Sequence, residues 1–410
     1  MIYVKNIRFP KKVFFSFFTV VIVFLFFAIN TVSYCKKIDI RFVKIEEEYT
    51  VDDFSYFSEG KIITKYNGKY GYIDSSGKKV TDFVYDKALP YNNGVANVCK
   101  NGKWGYVDEK GNELISCTFD SLGVKFGNGF LQKKGNKWYF AQPKERRVSI
   151  FKGNYDFIRG MSEGFSAVKK GSKWGYINSK GELVIPLKFD DAGDFSEGIA
   201  PVKINGQWTY INTKGSLVTR EMFFSSVSSF YMGRGIINKD GKYGVVDKSG
   251  KIIIKPIYSW LGFPISELFP ASVGNKSGVL DMNGNTVVKF EYDSIGYFFD
   301  NLALAQKGTK FGYIDSQGKE IIPFEYDYAT DFNNGLAIVQ KGDYSMVIDR
   351  KNNTKAKVKK PYFFLNISEG IAVVENNRKL RGFYIFGKLN NKEIDNKNTR
   401  MYYQNLKFYN

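Results

Sequence analysis

The chain contains no histidine. The commonest general base and the commonest metal ligand are therefore missing together, which sets aside Ser-His catalytic triads and zinc sites of the usual kind. Cysteine is nearly as scarce: Cys35, Cys99 and Cys117 are too few for a disulfide framework. Cys99 and Cys117 fall on the first and third strands expected of one unit, so an intervening strand separates them by about 10 Å. A disulfide needs Cα atoms within about 7 Å, and both are expected to be free. Acidic residues are in deficit, 41 against 60 basic ones, for a formal charge of +19. The first 37 residues carry +6 of this (Lys5, Arg8, Lys11, Lys12, Lys36 and Lys37, with no acid), leaving +13 on the rest. Such a surplus favours anionic partners without naming one. Apolar runs are short throughout, with one exception.

That exception is residues 13–32, VFFSFFTVVIVFLFFAINTV, which follow a basic segment, 1–12, and carry no charge. Twenty helical residues rise about 30 Å, the thickness of a hydrocarbon core. The stretch reads as a transmembrane signal-anchor. A cleaved signal peptide is the alternative, because Thr31-Val32-Ser33 and Ser33-Tyr34-Cys35 are passable cleavage sites. The basic residues ahead of it should stay cytoplasmic. The expected location is membrane-anchored with the remainder outside the cytoplasm, or secreted or periplasmic after cleavage. Residues 33–53 are polar and charged and read as a linker.

From residue 54 to 395 the chain repeats itself, and a polar tail, 396–410, follows. Lys173-Trp174-Gly175-Tyr176-Ile177-Asn178 recurs as Lys69-Tyr70-Gly71-Tyr72, Lys103-Trp104-Gly105-Tyr106, Lys242-Tyr243-Gly244-Val245 and Lys310-Phe311-Gly312-Tyr313. With the central glycine as register mark, ten positions lie 34 to 36 residues apart: Gly71, Gly105, Tyr139, Gly175, Thr209, Gly244, Gly278, Gly312, Met346 and Gly382. Tyr139 keeps Trp138 before it and Thr209 keeps Trp208, so the register survives loss of the glycine. So regular a period signifies a repeat architecture.

Each unit is patterned as strands. Gly198-Ile-Ala-Pro-Val-Lys-Ile204 alternates as a first strand. Asn67-Gly68, Asn101-Gly102, Asn205-Gly206 and Asp240-Gly241 suit a type I′ hairpin into a second, the Trp-Gly-Tyr segment. Asp74-Ser-Ser-Gly77, Asn178-Ser-Lys-Gly181 and Asp315-Ser-Gln-Gly318 have the type I signature, the side chain accepting from backbone N–H groups. A calcium site needs six to eight oxygens, more than one carboxylate per turn supplies. The third strand is Leu183-Val-Ile-Pro186 and its counterparts, and Phe195-Ser-Glu-Gly198 reads as a longer link to the next unit. Tyr70, Trp104, Trp138, Trp174, Trp208, Tyr243 and Phe311 share a strand face with the tyrosine two residues on where one is present. Gly71, Gly105, Gly175, Gly244, Gly278 and Gly312 on the other face would admit a ring or backbone of the next unit. These are read as core residues rather than as sugar-stacking platforms.

The motif Lys-Trp-Gly-Tyr-Ile-Asp-x-x-Gly-x-x-(Val/Ile)-Ile-x-x-x-(Phe/Tyr)-Asp, then Phe-x-x-Gly, is matched nearly in full by Lys173 to Gly198. It resembles the WG-repeat family over about four-fifths of the chain. The resemblance implies a largely bacterial, often exported protein with no assigned activity.

The expected fold is an all-β array of about ten three-stranded antiparallel meanders after one N-terminal transmembrane helix. An open or spiral array is preferred over a propeller-like ring or rings, since three strands are few for a blade and ten blades exceed the usual four to eight. The expected function is a non-enzymatic, membrane-tethered, extracytoplasmic binding scaffold. The alternative is a glycan-binding protein of the cell envelope or an exported carbohydrate-active enzyme, the enzyme using off-consensus acids such as Asp194 or Glu221. No catalytic, cofactor-binding or metal-binding residue is expected. The membrane, an anionic envelope polymer or another protein are the expected partners, and nucleic acid is not.

Overall fold

Both expected turns form as their residues dictate. Asn67 (φ +49°) and Gly68 (φ +78°) join Lys61–Tyr66 to Lys69–Asp74 in the doubly left-handed conformation of a type I′ turn, and Asn101-Gly102 and Asn205-Gly206 repeat it. At the next turn, Asp74 Oδ1 accepts from the N–H groups of Ser76 (2.8 Å) and Lys78 (3.0 Å). The same arrangement recurs at Asp108, Asn178, Asn212, Asp247, Asp281, Asp315 and Asp349. Burial would raise the Asp349 carboxyl, but Lys355, Asn353 and the turn's N–H groups hold it down at about 2.

The link between units proves to contain a further strand, the first of the next sheet. Asp191–Ala192 pairs with Val202 and Lys203, and Phe195-Ser-Glu-Gly198 is a tight turn, with Glu197 at φ +56° and Gly198 at φ +81°. Two residues are too few for a period-2 pattern to register, so this strand leaves no alternation in the sequence.

The computed structural model describes residues 40–52, 55–219, 222–387 and 408–409. In these the strands form ten sheets, here called blades, each built on a meander in chain order, with a strand from a chain end added to blades six and ten. The third strands of blades one to ten are Lys69–Asp74, Lys103–Asp108, Lys137–Gln142, Lys173–Asn178, Gln207–Asn212, Lys242–Asp247, Lys276–Leu280, Lys310–Ile314, Tyr344–Asp349 and Lys379–Phe386. In blades one and five the fourth strand is reduced to bridges such as Tyr70 to Tyr85 and Trp208 to Phe224. Phe408–Tyr409 adds a fifth strand to blade six, pairing with Val227 and Ser228.

The preferred open array is not what forms. The chain closes into one ten-bladed propeller, the ring alternative. Ile40–Lys44, placed by sequence in the linker, is the fourth strand of blade ten, antiparallel to Lys379–Phe386 with Phe42 opposite Tyr384. Asn366 Nδ2 donates to the Ser55 carbonyl across the closure (2.9 Å). Ten buried side chains fill that joint, including Phe57, Ile62 and Ile73 of blade one and Val373, Leu380 and Phe383 of blade ten. At roughly 1.5–3 kcal/mol per large apolar side chain, an open end would forfeit about 15–30 kcal/mol of gross burial. Closure therefore outweighs the unusual blade number, and it removes the ends that an open array must cap.

Cys99 and Cys117 are free, as their strand separation requires. The expected membrane segment, 13–32, lies outside the described residues, and no described helix is long and apolar enough to cross a membrane.

Candidate functional site

The consensus side chains are engaged in joining blades. Lys173 Nζ meets Asp190 Oδ1 at 2.7 Å, and Asp190 Oδ2 accepts from the N–H of Gly206 in the next blade's hairpin at 3.1 Å. Lys69–Asp86, Lys103–Asp120, Lys276–Asp293 and Lys310–Asp327 repeat the pair. Each such carboxyl lies below its usual range because its lysine hydrogen-bonds the charged form. The hydroxyls of Tyr72, Tyr176, Tyr210 and Tyr313 donate to the carbonyls of Leu89, Gly193, Ser228 and Thr330 one blade ahead.

The thirteen positions singled out from the sequence stand at one place in eight blades and are not brought together. Trp138, Trp174 and Trp208 are buried, whereas Tyr70, Trp104, Tyr243 and Phe311 are half-buried. The glycines have a different neighbour from the one expected. A Cβ on Gly105, Gly175, Gly244, Gly278 or Gly312 would lie 2.5 to 2.7 Å from a carbonyl oxygen of the fourth strand in the same blade. At that point the fourth strand bulges against the third: Trp174 pairs with Phe189 and Tyr176 with Ile185. The close approach is thus within a blade, not between blades.

In blade three both the glycine and the bulge are lost. In blade three Tyr139 occupies that position, and Trp138 to Gln142 pair residue by residue with Phe151 to Arg147, without a shift. The Asp-x-x-Gly turn is replaced by a 3₁₀ turn, Pro143–Glu145. The displaced strand leaves a groove of about 570 Å³ between blades three and four. Phe126, Phe140, Phe151 and Tyr155 line it, with Asn128, Ser149, Asn154 and Ser179 between them and Lys152 and Lys180. Phe126 stands edge-on to Phe151 at 5.6 Å and to Phe140 at 6.2 Å. Gly153 fits because a Cβ there would lie 2.3 Å from the Phe151 ring and 2.9 Å from that of Tyr155. The Trp138 indole N–H donates to the Tyr155 carbonyl at 2.7 Å, fixing the strap between the blades, and burial raises the Tyr155 phenol. Sequence reasoning passed over these residues, although the missing glycine and the missing turn motif both marked the place.

Asp194 lies in blade five and Asp331 at the same turn in blade nine; Glu221 is outside the described residues. Burial pushes the Asp331 carboxyl up to about 6. Among the described residues no group of three or more Cys, Asp and Glu could hold a metal ion.

The sequence profile of WG containing repeat matches residues 70–104, 104–138, 149–174, 174–208, 243–276, 278–310 and 311–344, more than half of the chain. The chain belongs to the WG containing repeat family. The WG matches omit residues 139–148, the stretch that displaces the fourth strand of blade three. No curated protein matches the chain. Among solved structures, a eukaryotic initiation factor is similar at TM-score 0.51 and 10% identity, over 81% of this chain and 100% of that one. That likeness is one of fold. BamB from Moraxella catarrhalis is similar at TM-score 0.33 and 9% identity, over 65% of this chain and 94% of that one.

Proposed function

We propose that this WG-repeat propeller is a membrane-tethered, extracytoplasmic binding scaffold that works by holding partners rather than by catalysis. The supporting observation is that the consensus polar groups are committed to the turns within blades and the joints between them, so recognition falls to the departures from consensus, of which the groove is one. The apolar segment 13–32 supports the tether, and the +13 charge beyond the first 37 residues supports an anionic envelope polymer as partner, with another protein as the alternative. Fractionation of cells followed by external protease tests the location. Membrane association with digestion of the repeats is expected. A soluble product beginning near Tyr34 or Lys36 would show a cleaved signal instead. Binding is tested by retention on envelope polymers, which should fall between low and high salt over a Debye length of about 8 Å at physiological ionic strength.

A further inference from the structure

The groove between blades three and four has a lining whose chemistry narrows what it can hold. Its lining carries Lys152 and Lys180 and no acidic residue. Aromatic rings share the lining with short amides and hydroxyls, and one side is open to solvent. A volume of about 570 Å³ is within the roughly 300–1,000 Å³ of ligand sites. The groove's aromatic side is closely packed: Phe126 is buried against Phe151, and a Cβ on Gly153 would meet the rings of Phe151 and Tyr155.

We propose that this groove binds an acidic oligosaccharide, an extended chain of uronic-acid type whose sugar rings lie against Phe151 and Tyr155 and whose carboxylates meet Lys152 and Lys180. The inference rests on the reading of the ring as a binding scaffold. Hydroxyl-bearing rings suit the mixture of aromatic surface with Asn128, Asn154 and Ser149, and the carboxylates suit lysines that no lining acid offsets. An open-sided groove also admits a chain that continues at both ends. Single-stranded nucleic acid, which also uses rings and lysines, requires successive stacking platforms. Phe126, Phe140 and Phe151 are arranged edge to face and provide no such series.

The test is calorimetric titration of the full-length chain in detergent with oligogalacturonate, with a neutral malto-oligosaccharide of equal length and with an oligothymidylate. Oligogalacturonate is expected to bind at least ten-fold more tightly than either. Lys152→Ala with Lys180→Ala, both exposed and so without effect on folding, should weaken it about ten-fold. Phe151→Ala should weaken it similarly. Lys110→Ala with Lys214→Ala, on the turns of blades two and five, should leave it unchanged. Equal binding of the neutral sugar, tighter binding of the oligothymidylate, or wild-type affinity in the groove variants would overturn the proposal. Wild-type affinity in the groove variants would leave the scaffold reading intact and move the site elsewhere on the ring. No binding by the wild type, together with no retention on any envelope polymer, would remove both readings.

Discussion

The carboxylate of Glu369 in blade ten accepts a hydrogen bond from the backbone N–H of Glu59 in blade one at 2.7 Å, although 310 residues separate them. Its other oxygen takes the N–H of Gly60 at 2.8 Å. The bond belongs to a series: Glu59 accepts from Asn93 and Gly94, Glu163 from Glu197 and Gly198, and Asp300 from Gly335. Glu59, Glu163, Glu197 and Glu369 sit at φ +51° to +56°, a conformation that costs a non-glycine residue roughly 1–2 kcal/mol. The two charge-assisted bonds that each of Glu59, Glu163 and Glu369 makes to the next blade offset it.

Glu369→Ala should therefore behave like an ordinary joint variant. It is expected to lower the Tm as Glu163→Ala does, each by the equivalent of about 1–2 kcal/mol. Calorimetric scans of the two variants check this. No effect from Glu369→Ala beside a clear effect from Glu163→Ala would mean that blades one and ten do not meet.

Gly175→Ala places a Cβ 2.5 Å from the carbonyl oxygen of Ile185. Backbone is on both sides of this contact, so the fourth strand must move, at about 1–3 kcal/mol for overpacking of this kind. The Tm should drop, and amide exchange should accelerate in Leu183–Phe189 of the same blade ahead of the others. Unchanged exchange there would remove the explanation given for the WG glycine.

Much of this architecture was legible in the sequence, and the exceptions have physical causes. The hairpin at Asn67-Gly68 and the turn at Asp74 could be read directly because each depends on two to four adjacent residues. The first strand of most blades could not, since at two or three residues, as in Asp191–Ala192, it is too short to show a period. Closure could not be read either. Ile40–Lys44 lacks every WG signature because it supplies the exposed fourth strand of blade ten, whose residues make few of the contacts that fix the motif. The groove was marked by Tyr139, yet a lost glycine reads as decay of a repeat until the unshifted pairing of Trp138 with Phe151 is known.

Asp331 gives the ring a pH dependence of defined sign. Burial raises its carboxyl from the ordinary 3.8 to about 6, so the folded chain holds this proton more tightly than the unfolded chain. The stability it contributes is complete below about pH 4 and is lost as pH rises through about 6. Asp331→Asn should raise the Tm relative to wild type at pH 7.5 and change it little at pH 4. Equal shifts at both values would show that the carboxyl is not raised.

Closure of the ring is the claim on which the joints, the groove and the scaffold reading depend, and a cross-link tests it most directly. Phe42 and Tyr384 are opposite one another on antiparallel strands, their rings 4.9 Å apart. Neighbouring Cα atoms in such pairs are about 4.5–5.5 Å apart, within disulfide reach. In a chain with Cys35, Cys99 and Cys117 changed to serine, Phe42→Cys and Tyr384→Cys should oxidise within one molecule, giving a faster-migrating monomer on a non-reducing gel. A product that stays reduced, or that links only between molecules, would contradict the closed ten-bladed ring.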